Sequence, residues 1–164
     1  MELLLSTIHG SRLYGMAKPD SDYDWFEIYG FQKGRAKQRI AGSDDRTKAP
    51  YDRFMRYCEK GVPQYLEAMF SDMADYDNMP FDRKQYYHPG MINVRDTYFR
   101  TIKSFWLSGT ENNDLKRKRH AMRLTLNLRE MHGDGNGRFN PTMTPAQIDW
   151  IDRHARLPER IDPL

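Results

Sequence analysis

The 164-residue chain has a single cysteine, Cys58, so no internal disulfide can staple it, which fits a reducing compartment. Within a predicted helix, Cys58 reads as a half-buried packing residue. No apolar run approaches the ~20 residues that a membrane span requires, and no signal-peptide pattern opens the chain. A cytoplasmic protein without membrane contact is therefore expected. The five histidines, His9, His88, His120, His132 and His154, show no zinc spacing. Repeats and low-complexity tracts are also missing. The net charge of +3 is too small to demonstrate a nucleic-acid partner, so local clusters of charge matter more than the total. With 30% charged residues and a mean hydropathy of −0.89, the chain is hydrophilic but long enough to bury a core.

What is present begins at the start of the chain. Leu3-Leu4-Leu5-Ser6-Thr7-Ile8 is an apolar run of the length of a buried strand, and Gly10-Ser11 breaks it. Glycine leaves room for a phosphate to approach the main chain, where N–H groups and the Ser11 hydroxyl can donate to it. A helix starting near Ser11 would add its own exposed N–H groups. Lys18-Pro19-Asp20-Ser21 is a turn by composition, and Asp22 to Tyr29 reads as the next strand. Residues two apart on a strand share a face, so Asp22 and Asp24 project together, with Tyr23 and Trp25 on the other face and available for a core. Two carboxylates this close repel unless a cation joins them. Mg2+ suits, because it takes hard oxygen ligands and is commonly shared between one or two carboxylates and substrate phosphates.

An apolar strand, Gly10-Ser11, a short helix and then Asp22-x-Asp24 on the following strand resemble the polymerase-β-type nucleotidyltransferase superfamily. More narrowly, His9-Gly10-Ser11-Arg12-Leu13-Tyr14-Gly15 with Pro19-Asp20-Ser21-Asp22-Tyr23-Asp24 is similar to a small bacterial and phage branch, some of whose members are associated with RNA repair. Weaker similarity continues through Phe54 to Pro63, Leu66 to Phe70, Lys116 to Leu124 and Gly137 to Asn140. The resemblance implies an α/β (α+β) fold, a mixed sheet flanked by helices with a helical C-terminal part. It also implies Mg2+ as cofactor, one ion or two, with Mn2+ able to substitute. The superfamily supplies a third carboxylate from a separate strand, to bind metal and accept the proton of the attacking hydroxyl. Counting back from Phe54 favours Asp45, with Asp44 a live competitor; Glu27 lies on the wrong face of a regular strand.

The rest of the chain is read by its periodicity. Residues 32–49 are charged and poor in pattern, and read as a loop with one weak strand. Pro50 and Gly61 bracket a helix over Tyr51 to Lys60, and Pro63 opens another to about Phe70. Ser71 to Pro89 reads as a long, mobile connection. Met91, Val94, Tyr98, Ile102 and Phe105 recur at helical spacing, as a core stripe. A further helix from Asp114 to Met131 buries Leu115, Ala121, Met122, Leu124, Leu126 and Leu128, and groups Lys116, Arg119, His120 and Arg123 on another side. Such a face is usually only solvated, but the resemblance makes it a candidate to hold triphosphate, while Lys116 to Arg119 could equally grip an RNA backbone. Gly133 to Gly137 lacks the ligands of a calcium loop and reads as a helix exit. Thr144-Pro145-Ala146-Gln147 has the capping-box pattern of a last helix to about Arg156, with a frayed tail after Leu157.

The expected organisation is a catalytic core over residues 1–89 with a helical part over 90–164 packed on it, or one single domain. By resemblance the chain transfers a nucleoside monophosphate from an NTP to an acceptor hydroxyl, of an RNA end or a protein side chain, and releases pyrophosphate. Asp22, Asp24 and Asp45 would be the catalytic, metal-binding carboxylates, and Gly10, Ser11, Lys116, Arg119, His120 and Arg123 would hold the nucleotide. A protein-adenylylating enzyme of antitoxin type and a degenerate nucleotide- or RNA-binding member are the rival readings.

Overall fold

The computed structural model describes residues 2–30, 38–40 and 44–157, with only the backbone of 38–40 and 44. Its centre is a mixed five-stranded sheet, flanked by helices in an α/β arrangement. The strands are β1 (Leu3–His9), β2 (Tyr23–Tyr29), β3 (Gln38–Ile40), β4 (Asp44–Pro50) and β5 (Ala74–Asp75), in the order β3-β4-β2-β1-β5. The β1/β2, β1/β5 and β3/β4 pairs are antiparallel, and β2/β4 is parallel. A one-turn helix, α1 (Gly10–Leu13), leaves the end of β1.

Phe26 and Ile28 on β2, Leu5 on β1 and Ala49 on β4 turn one face of the sheet toward the helices, and all four are buried. Asp24 shares this face, two residues along the same strand. The expected placement of Tyr23 and Trp25 in the core is thus corrected: Tyr23 is 44% exposed and Trp25 half-buried on the opposite face. There cations cover the aromatic rings, Arg12 over Tyr23 at 3.9 Å and Arg46 over Trp25 at 5.5 Å. Ring–cation attraction and half-exposure suit that face better than burial.

A second correction concerns residues 32–49. Instead of one weak strand, β4 is a seven-residue strand paired on both edges, by β2 and by β3; residues 31–37 and 41–43 lie outside the described residues.

The helices fall where periodicity and caps put them. They are α2 (Tyr51–Glu59), α3 (Pro63–Phe70), α4 (Met91–Glu111), α5 (Leu115–Asp134) and α6 (Pro145–Ala155). Pro63 sits in the first turn of α3, Gly135 closes α5 in the left-handed region at φ 68°, and Thr144 with Gln147 forms the full capping box of α6. Val94, Tyr98 and Ile102 of α4 are buried in one cluster with Phe54 and Cys58 of α2, Leu66 of α3, Leu124 and Leu128 of α5 and Ile151 of α6. Met91 and Phe105 are half-buried against it, as is Leu126, while Leu115 is exposed. Cys58 is fully buried rather than half-buried. Side chains from both parts of the chain share this core. Among the described residues no helix is long and apolar enough to cross a membrane.

The connection from Ser71 to Pro89 is fastened. It contributes β5 and a 3-10 turn, Arg83–Gln85, and the buried Arg83 guanidinium donates to Met69 O (2.6 Å) and Ser71 O (3.1 Å) at the end of α3 while pairing with Asp77. A cation thereby satisfies carbonyls that the helix end leaves without partners.

Candidate active site

β1 delivers His9 opposite Asp24 of β2, and the next residue is Gly10. Gly10 has φ +66°, a region that side chains rarely adopt, and a Cβ on it would collide with Asp24 Oδ2. Both the backbone angle and the close approach demand glycine. Ser11 follows in α1. The Lys18 to Ser21 turn closes through Ser21 N–H to Lys18 O (3.0 Å) and Lys18 N–H to Ser21 Oγ (2.8 Å), and Arg12 donates to Ser21 O. The far end of the chain secures the exit of α1: Thr142 Oγ1 donates to Leu13 O (2.8 Å) and Met143 N–H to Tyr14 O (3.0 Å).

The parallel register between β2 and β4 pairs Asp24 with Asp45 and Tyr23 with Asp44. Paired residues of neighbouring strands project to the same side, so Asp45 stands on the Asp24 face. Asp24 and Asp45 are both half-buried, whereas Asp22 is exposed, one residue before β2 begins. Among the described residues no three His, Cys, Asp or Glu side chains gather into a metal-holding group. The adjacent Asp24 and Asp45 still fit Mg2+, an ion held through one or two carboxylates plus substrate phosphates. Gly10, bare beside Asp24, leaves the space such phosphates need.

Gly10, Ser11 and Asp24 open onto a cleft of about 810 Å³ whose opposite wall is α5. That wall presents Lys116, Arg119, His120 and Arg123, so the cleft joins the two groups of residues that the sequence offers for nucleotide binding. Asp22 and Asp45 are not among its lining residues. The four wall residues differ in state. Lys116 is exposed, and Arg119 is half-buried and pairs with Asp152 of α6 at 2.7 Å. Arg123 is only 2% exposed.

Arg123 belongs to a buried polar cluster beneath the cleft. Its Nη1 donates to Glu67 Oε1 (2.7 Å), and its guanidinium lies 3.5 Å over the Tyr14 ring. Tyr14 donates to Glu67 Oε2 (2.6 Å), and His9 Nε2 stands 3.4 Å from the same oxygen. Glu67, 1% exposed, therefore gathers groups from β1, the exit of α1 and α5. Burial pushes the Glu67 carboxyl up, but Arg123, His9 and the Tyr14 hydrogen bond together pull it below its ordinary value. Burial raises Tyr14 well above the usual tyrosine range. For His120, burial and then the Arg123 charge lower the pKa to about 4, so the imidazole is neutral at pH 7.

Sequence reading misses this cluster. Glu67 sits inside the apolar run Leu66 to Phe70, where a lone carboxylate gives no motif, and only the spatial meeting of residues 9, 14, 67 and 123 reveals it. A charged residue placed among buried helical positions is the available signal.

A search of curated proteins returns no match to this chain. Residues 1–164 match RlaP, described as the RNA repair pathway DNA polymerase beta family. With the match spanning the whole chain, it belongs to the RNA repair pathway DNA polymerase beta family, within the polymerase-β-type nucleotidyltransferases.

Proposed function

We propose that the protein transfers a nucleoside monophosphate from an NTP to the terminal hydroxyl of an RNA, releasing pyrophosphate. The observation that carries this reading is that Asp24, paired with Asp45 on the neighbouring strand, opens with Gly10-Ser11 onto one cleft whose far wall is the basic face of α5. Gly10 and Ser11 hold phosphate oxygens. Lys116 and Arg119 neutralise the charge that grows on the leaving pyrophosphate, the usual task of cations at such sites. Asp24 and Asp45, with Asp22 at the edge of β2, would hold Mg2+, which would supply stabilisation of the negative charge that develops in the transfer.

The acceptor oxygen forms its bond to the α-phosphorus as the bond from that phosphorus to the bridging oxygen breaks. The hydroxyl proton passes to Asp45 as general base, and the electron pair leaves with pyrophosphate. A chain matching an RNA repair family favours an RNA end over a protein acceptor. Incubation with each labelled NTP, Mg2+ and RNAs of defined ends is expected to attach one label to RNA, and Asp24→Asn to abolish both that attachment and pyrophosphate release with the fold intact. Full turnover by Asp24→Asn would sink the mechanism, and label on protein alone would redirect it to the adenylylating reading.

A further inference from the structure

His120 differs from its neighbours on the cleft wall. Its Nδ1 faces two nitrogens of Arg123, Nε at 3.3 Å and Nη2 at 3.2 Å. A guanidinium can only donate, so Nδ1 must accept and the ring proton must sit on Nε2. The ring packs edge-on to Phe105, centroids 4.9 Å apart, and against Tyr14 at 5.7 Å, which fixes its plane. Its Nε2 makes no hydrogen bond among the described residues, and the residue lines the cleft that holds Gly10 and Ser11. A donor with a fixed tautomer and orientation is thus left at the wall of a phosphate site.

We propose that His120 is a neutral hydrogen-bond donor to a phosphate oxygen of the nucleotide, locked as its Nε2–H tautomer by Arg123, with Glu67 as the positioning residue behind Arg123. This rests on the nucleotidyl-transfer reading, and gives one member of the supposed basic face a different task. The groups facing the ring are Arg123 and Lys116 of its own helix, Glu67 of α3, His9 of β1 and Tyr14 after α1, with Phe105 of α4 closing the apolar side. Burial, and then the Arg123 cation, oppose a positive charge on the ring, so His120 can serve as a neutral donor. One carboxylate, Glu67, ties this donor to the loop under the phosphates, because it also holds Tyr14 and His9.

Nitrogen-15 spectra of the imidazoles in the full chain test the idea. Expected are an unprotonated Nδ1 and a protonated Nε2 for His120 at both pH 8 and pH 5, with the Nε2–H resonance displaced by inorganic tripolyphosphate and by α,β-methylene nucleoside triphosphates. His120→Ala should weaken triphosphate binding about tenfold, the worth of one good hydrogen bond, and His120→Gln, which keeps an N–H, should recover most of it. Arg123→Lys should keep the charge but mix the tautomers. A proton on Nδ1, or a ring that titrates near its ordinary 6.5, overturns the proposal on the wild-type protein alone. A triphosphate that displaces the Ser11 amide but not His120 Nε2–H overturns it while leaving nucleotidyl transfer standing. Displacement of neither overturns both.

Discussion

Replacing Glu67 by glutamine removes one charge and almost no volume from the centre of the molecule. The carboxylate accepts from Arg123 at 2.7 Å and from Tyr14 at 2.6 Å, with His9 3.4 Å away, and both members of the ion pair are 2% exposed or less. A glutamine amide could still meet these groups, but the Arg123 cation would be left buried without a counter-charge. Breaking a buried pair from one side costs about 3–5 kcal/mol. In a chain of this size each kcal/mol lowers Tm by about 2–4 °C, so calorimetry should show a fall of about 6–20 °C. The double variant Glu67→Gln/Arg123→Met should regain most of that loss, because an apolar replacement of both partners is often neutral. The pH dependence supplies a second reading. The folded carboxyl titrates below its ordinary 4.5, so its stabilisation is complete above that value and is lost as pH falls through the lower folded value. In Glu67→Gln that acid-induced loss should vanish. A Tm change under about 2 °C, or a double variant no more stable than the sum of its parts, would refute the account of Glu67 as the hub of the cluster.

His120 predicts a further acid sensitivity: its folded pKa of about 4 lies below the ordinary 6.5, so the unfolded chain takes the proton first and stability falls as pH drops between those values, by about 3 kcal/mol. Urea melts at pH 7 and pH 4.5 should show that slope, and His120→Gln should flatten it. Gly10→Ala adds about 1–2 kcal/mol of backbone strain and drives a methyl group into Asp24; pyrophosphate release should fall about a hundredfold, as it does when reacting groups shift by an ångström. Asp45→Asn should abolish product while Asp44→Asn leaves turnover near wild type, and the reverse result would dismantle the general-base assignment. Thr144→Ala removes the cap of α6 and should cost about 1 kcal/mol in a denaturant melt.

Helices are legible because their signals are local. Pro63, the Thr144 capping box and the stripe from Val94 to Ile102 each carry their meaning within a few residues. The length of β4 escapes a sequence reading because Asp-Asp-Arg-Thr-Lys-Ala-Pro is poor in strand formers; ladder hydrogen bonds from β2 and β3 hold it, and propensity does not encode neighbours. The core face of β2 is misread because Tyr23 and Trp25 look more apolar than Asp24, whereas Phe26 and Ile28 decide the parity. The connection before α4 reads as mobile since no pattern announces that Arg83 will cap α3. At the site, Gly10-Ser11 and Asp24 are visible as a motif, and the basic face of α5 as a cluster. Their meeting across one cleft, and the Glu67 hub beneath it, depend on contacts between residues more than fifty positions apart.

The bonds from Thr142 and Met143 to Leu13 and Tyr14 also set an order of events during synthesis. The loop of Gly10 and Ser11 emerges first, yet its fastening lies 129 residues later. At about 5–20 residues per second, the ribosome makes that partner roughly 6–26 s after the loop. Until then the nascent chain carries the Gly10-Ser11 loop without its latch, so a transcript cut short before the codon for Thr142 would yield a loop that is present in sequence but unanchored.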